Sequence, residues 1–186
     1  MVRLFALLSF VALTGCASAP QLSRDEWFSM TTSYVEAEPE KVVKAAERVL
    51  QLADETDTRF QHAKNGFSAT RQATTFVLVA VVDDYFHWQV AVEPEGNGSR
   101  ISAQVGHSAS SIMAAPVASG VLAPLTTGQP VGNPVQDAKL YELFFKRVQH
   151  IAAGNGSWLS CEAFGASKLG MTALALCGVG SEDRRP

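Results

Sequence analysis

The sequence predicts an α+β fold: an antiparallel sheet of about five strands, covered on one face by two helices, in the order β-α-β-β-β-β-α. Two observations predict it. Apolar residues recur with a 3.6-residue period in two well-separated stretches, and between those stretches the period drops to two, with Asn-Gly pairs as turn signals. The chain has 186 residues, 47% hydrophobic and 18% charged, which is globular composition at the length of a single domain. Fifteen Lys and Arg stand against 18 Asp and Glu, a formal charge of −3, so no summed positive field exists to hold a polyanion and nucleic acid is excluded as a partner.

The first strand is read at residues 31–35, β-prone and closed by Glu-Ala-Glu-Pro. Pro39 then suits the first position of a helix, with Glu38 and Glu40 near its positive end. Val42, Val43, Ala46, Val49, Leu50 and Ala53 form one stripe, opposite the solvated face of Lys41, Lys44, Glu47, Arg48 and Gln51. From residue 58 the period is two, and Asn65-Gly66 is read as the turn joining residues 58–64 to 67–72. Residues 76–82 are an unbroken apolar run, expected as one buried strand, after which Asp83-Asp84 is expected to turn the chain rather than to work as an acid/base pair.

Trp88, Val90 and Val92 alternate with polar residues, as do Ile101, Ala103 and Val105. A turn centred on Asn97-Gly98 sets Val92 opposite Ala103, Val90 opposite Val105 and Trp88 opposite His107, with every apolar residue on one face. Between Arg100 and Asp137 no charged residue occurs. Within that span, residues 108–132 read as a long loop whose Pro116, Pro124 and Pro130 exclude a membrane-spanning helix. Its Ile112, Met113, Val117, Val121, Leu122 and Leu125 are too apolar for a purely solvated linker, so it either folds back on its own domain or meets a partner or membrane. Asn133-Pro134-Val135-Gln136 is read as a capped helix start, with Tyr141, Phe144, Phe145, Val148 and Ala152 on a broad buried stripe up to Gly154. A short helical turn at 162–166, an apolar segment at 171–176 and a loose polar tail at 181–186 complete the chain.

The amino terminus has a basic start and then an apolar run over residues 4–13, about half of the roughly 20 residues a spanning helix needs. The run abuts Leu13-Thr14-Gly15-Cys16, which resembles the lipobox of bacterial lipoproteins. The resemblance implies a signal peptide over residues 1–15, a diacylglycerol thioether on Cys16, a tether over 16–26 and a domain over 27–180. Two or three acyl chains anchor firmly where one is marginal, and Ala17, rather than Asp, after the Cys favours the outer over the inner membrane in proteins of this type. Trp27, Phe28 and Met30 are read as packing on the domain, with the lipid interface as the alternative. With Cys16 acylated, Cys161 and Cys177 are an even pair in an oxidising compartment, and a disulfide between them closes the C-terminal segment. The element order from residue 31 to 153 is also similar to helix-grip folds, in which a groove between sheet and long helix sometimes holds an apolar ligand.

No stretch identifies a reaction. His62, His87, His107 and His150 lie on four separate elements without metal-ligand spacing, and no cofactor or metal is implied. Gly106-His107-Ser108-Ala109-Ser110 falls short of a nucleophile elbow, with Ser110 in place of its second glycine. Trp88 reads as a core residue beside a surface His107. The expectation is therefore a non-enzymatic envelope lipoprotein, an accessory or structural subunit contacting another envelope component. The alternative is a binding module for an apolar molecule, using Trp88, Val90, Val105, Phe144 and Phe145 around a cavity. Candidate contact residues are Trp88, His107, Ile112, Met113, Val121, Leu122, Phe144 and Phe145. A hydrolase would need a His and a carboxylate to converge on one Ser.

Overall fold

Alternation of side chains places a strand's even and odd residues on opposite faces, and here that rule builds a sheet with one apolar face. The computed structural model describes residues 22–53, 58–77, 80–113, 132–165 and 170–177. The elements are α1 (Arg24–Thr31), β1 (Thr32–Val35), α2 (Pro39–Ala53), β2 (Thr58–Ala63), β3 (Gly66–Val77), β4 (Ala80–Glu95), β5 (Gly98–Met113), β6 (Asn133–Pro134), α3 (Ala138–Ala153) and a 3-10 helix (Gly170–Ala175). The strands form one antiparallel sheet in the order β1-β5-β4-β3-β2, with β6 also pairing on β5. The fold is α+β, with Cys161 and Cys177 bridged by a disulfide.

Phe67, Ala69 and Ala73 of β3, Phe86, Trp88, Val90 and Val92 of β4, and Ile101, Ala103 and Val105 of β5 are all buried on one face. Against them α2 lays Val42, Ala46, Val49 and Leu50, and α3 lays Leu140, Tyr141, Phe144 and Val148. Trp88 and Phe144 meet with ring centroids 4.8 Å apart.

Several expectations are corrected. Residues 76–82 are not one strand, because the chain reverses between Val77 and Ala80, which pair with each other. Asp83 and Asp84 are interior residues of β4, paired with Thr74 and Ala73. No Gly, Pro, Asn or Asp marks the reversal, and its residues 78–79 lie outside the described ones.

The β2–β3 hairpin closes through Lys64-Asn65, one residue earlier than read. Gly66 serves a different need: a Cβ there would run into the Val90 carbonyl oxygen. The β4–β5 hairpin closes through Gly96-Asn97, so Val92 faces Ile101, Val90 faces Ala103 and Trp88 faces Val105. The register differs from the sequence reading by two residues. A slip of one would invert every side chain, whereas a slip of two keeps all of them on their faces.

The expected loop over 108–132 begins later, since β5 runs to Met113. Residues 114–131, with Val121 and Leu122, lie outside the described ones. At the other end of that gap, Asn133 and Pro134 join the sheet beside His107 and Gly106, and Val135 N–H donates to Val105 C=O. The helix expected from Val135 is thereby held back to Ala138, with Asp137 as its cap. Gly154 closes it at φ +65°.

Leu22 and Ser23 precede a helix in place of a tether extending to residue 26. Ser23 accepts from Glu26 N–H while the Glu26 carboxylate accepts from Ser23 N–H, a reciprocal cap. The Ser23 hydroxyl also donates to the Glu26 carboxylate at 2.7 Å, and this bond first, then the one from Ser23 N–H, lowers the Glu26 pKa. The residues assigned to signal peptide, Cys16 and first part of the tether lie outside the described ones, as does the tail at 181–186.

Candidate functional site

The sheet's second face carries no helix among the described residues. Rows across its strands follow from the register: Gln61, Ser68, Gln89 and Gln104 in one, and Thr70 and His87 in the next. Gln61, Gln89 and Gln104 are exposed. They border a shallow cleft of about 570 Å³, which Ala91 and Ser102 also line and in which no Asp, Glu, Lys or Arg takes part. His87 sits higher on this face, with Nδ1 3.3 Å from Thr70 Oγ1 and Nε2 3.4 Å from Ser108 Oγ. At the β4–β5 turn Arg100 bonds Glu93 at 2.9 Å and lies 3.8 Å from Glu95, and these carboxylates, Glu93 foremost, hold the guanidinium still more firmly protonated.

A second cleft, of about 680 Å³, lies between the start of α2 and the tip of the β2–β3 hairpin, lined by Val43, Glu47, His62, Lys64, Val92 and Pro94. His62 Nε2 and Glu47 Oε1, 3.0 Å apart, join the hairpin to α2 there.

Among the described residues the covered face contains one buried carboxylate. Asp84 is 0% exposed, and its Oδ1 lies 2.8 Å from His107 Nε2, while Oδ2 has no hydrogen-bond partner among the described residues. The His107 ring, 31% exposed as a side chain, stacks on Phe86 at 5.0 Å. A carboxylate holding one imidazole nitrogen is two thirds of a charge-relay constellation. The hydroxyls nearest in sequence, Ser108 and Ser110, pair with Tyr85 and Asp83 and belong to the bare face. The Asp84–His107 pair and the His87–Ser108 pair therefore sit on opposite sides of the sheet and do not combine. The Gly106–Ser110 stretch is straight strand within β5, without the sharp turn that a nucleophile elbow requires. Among the described residues no three His, Cys, Asp or Glu side chains converge as metal ligands.

Two buried arginines organise the C-terminal segment. Arg71 donates to the Leu174 carbonyl, and its Nη2 to those of Ala53 at 3.4 Å and Cys177 at 3.3 Å. Arg147 donates to Leu159 at 3.0 Å, to Leu176 at 3.2 Å and to Cys161 Sγ at 3.2 Å, and its guanidinium lies 4.5 Å from the Trp158 ring centre. Carbonyls of a non-ladder segment need donors when buried, and these guanidiniums supply them.

Of the residues singled out from the sequence, Trp88, Phe144 and Phe145 are buried core, with Trp88 and Phe144 filling the space between sheet and helix against each other. His107 is half-buried beside Phe86 rather than across from Trp88. Ile112 and Met113 end β5, opposite Val81 and Ala80. Sequence reasoning missed Asp84, Arg71 and Arg147. Asp84 was within reach, because it continues the even-numbered run of Phe86, Trp88, Val90 and Val92; Arg71 likewise continues Phe67 and Ala69. Compared with protein-family models, curated proteins and solved structures, the chain matches none.

Proposed function

We propose that the chain is a lipid-anchored envelope protein without a reaction of its own: an accessory or structural subunit held by acyl chains on Cys16, in the outer membrane by preference, that contacts another envelope component. The observation that carries this reading is the asymmetry of the sheet. One face is closed by α2, α3 and the disulfide-bridged segment, and the other, left uncovered among the described residues, carries a row of uncharged amide and hydroxyl groups. β5 lines that face and leads at Met113 into the uncharged stretch that follows. No described helix is long and apolar enough to cross a membrane, so attachment in this reading falls to the acyl chains.

Photocrosslinkers at Gln104 and at Val121 in the full chain, expressed with its export signal, test the reading. Both positions are expected to give one heterologous adduct of the same mass in the envelope fraction, weakened by Gln89→Arg. Intramolecular products alone from both positions reject the docking role, and an unmodified Cys16 in the mature amino-terminal peptide rejects the anchor.

A further inference from the structure

The described residues with large exposed apolar side chains are Leu22 at 38%, Phe28 at 55% and Tyr34 at 43%, and all three precede α2. Isolated exposed apolar residues are ordinary, but their confinement to the stretch nearest Cys16 is not scattered. Tyr34 belongs to the bare sheet face, opposite Arg100. Leu22 precedes the Ser23 cap of α1, and Phe28 lies in the second turn of that helix.

That helix is held in a fixed pose. Trp27 packs edge-on against Tyr141 at 6.4 Å, Met30 packs on the core, and Thr31 is buried, so the side of α1 bearing Phe28 is turned away from the domain. One turn back from Phe28 stand Arg24 and Asp25, and with Glu26 the helix sets one cation against two carboxylates. Leu22 follows Cys16 by six residues, a reach of about 20 Å at full extension and less otherwise.

We infer that Leu22 and Phe28 rest in the interfacial layer of the bilayer that holds the acyl chains of Cys16, giving the domain a second membrane contact that fixes its orientation. This rests on the reading of Cys16 as acylated. The contact is apolar in origin, because α1 has no excess of positive charge to draw it to anionic lipid, and so it does not depend on such lipid. Trp27 and Met30, adjacent in sequence, are excluded from it by their packing on α3 and the core.

In the lipidated chain a cysteine introduced at position 28 is the free thiol, with Cys16 acylated and Cys161 bridged to Cys177. Phe28→Cys and, as a control on the bare sheet face, Gln104→Cys are labelled with an environment-sensitive nitrobenzoxadiazole dye and reconstituted in phosphatidylethanolamine vesicles, with or without phosphatidylglycerol and with or without brominated acyl chains. The expected result is blue-shifted emission, quenched by brominated lipid, for the label at 28 in both lipid mixtures and for the label at 104 in neither. Emission at 28 matching that at 104 while mass spectrometry finds Cys16 acylated overturns the contact and leaves the anchor intact. An unacylated Cys16 overturns both. Protection of position 28 that vanishes on dilution of protein into excess lipid assigns the patch to a second copy and likewise overturns the proposal. Phe28→Asp, with the dye moved to Leu22→Cys, is expected to lose the quenching at 22 without loss of the acyl anchor; undiminished quenching counts against a role for Phe28.

Discussion

Removing one oxygen atom from the core tests how the β5 edge is completed. Along that edge β1 covers residues 99–102 and β6 covers 106–107, leaving residues 103–105 between them. The Tyr141 hydroxyl fills the gap: it accepts from Val105 N–H at 3.1 Å and donates to Val135 C=O at 3.1 Å, from a side chain that is 0% exposed. Tyr141→Phe keeps the ring and leaves two buried backbone groups without that partner, at about 1–3 kcal/mol for each group that finds no substitute and so about 2–6 kcal/mol if neither does. Burial pushes the Tyr141 phenol up to about 12, with the nearby Asp137 adding to the effect and the Val105 bond opposing it. An unfolded tyrosine titrates near pH 10, so above that pH the unfolded chain binds fewer protons than the folded one and stability falls as pH rises, by about 2–3 kcal/mol between roughly pH 10 and 12. Below pH 10 this contribution is fully present. Guanidinium unfolding with the disulfide intact, run at neutral pH and again between about pH 10 and 11, is expected to show a lower midpoint for Tyr141→Phe at unchanged slope m. Its further decline with alkali is expected to be shallower than in the parent chain. A variant within about 0.5 kcal/mol of the parent at neutral pH, with the same alkaline decline, would refute the gap-filling role.

Four other outcomes follow. Replacing Cys161 and Cys177 together by Ala opens a loop of sequence separation 16 and is expected to lower stability by about 3 kcal/mol, read as a denaturation midpoint. Gly66→Ala is expected to cost at least about 2 kcal/mol because the Val90 backbone must move, whereas Gly96→Ala, with open space around its Cβ and φ +57°, is expected to cost about 1 kcal/mol from backbone strain alone. Ser23→Ala removes the α1 cap and is expected to speed amide exchange in Trp27 and its neighbours while global unfolding barely changes. A double-mutant cycle on Asp84→Asn and His107→Gln is expected to give a coupling of about 1–2 kcal/mol, discounted because the imidazole reaches solvent, and additive single effects would show that the 2.8 Å contact is energetically idle.

The parts of the fold legible in the sequence were those where one local signal sufficed. Pro39 and the stripe from Val42 to Ala53 placed α2 to the residue, and Gly154 placed the end of α3. The start of α3 was not legible, because Asn133-Pro134 is an equally good helix start and a usable edge strand. The choice between them lies in β5, whose Gly106 and His107 offer it a ladder. Likewise the β3–β4 reversal carries no breaker residue, and what forces it is the twelve-residue register from Gly66 to Val77 against β4, a long-range property. α1 was legible but passed over: Ser23-Arg24-Asp25-Glu26 is a capping box, obscured by the polar character of the residues before it.

The candidate site follows the same division, and it explains why charged residues escaped notice. A reading based on apolar periodicity assigns Arg71, Asp84 and Arg147 to solvent, yet all three lie on the covered side of the sheet or helix. The C-terminal segment covers the core with little regular hydrogen bonding of its own, so its inward carbonyls need donors from elsewhere. An apolar side chain at 71 or 147 would close the core equally well and leave those carbonyls unpaired. A guanidinium offers five donors in a planar fork, which lets Arg71 serve Ala53, Leu174 and Cys177 from one side while Arg147 serves Leu159 and Leu176 from the other. The disulfide alone would fix two points of the segment and leave its path between them undetermined. The arginines fix the carbonyls beside each cysteine, and Thr172 adds a bond of 2.9 Å to the cap residue of α3. Closure of that face by a bridged, arginine-held segment leaves the opposite face as the one that no described helix covers.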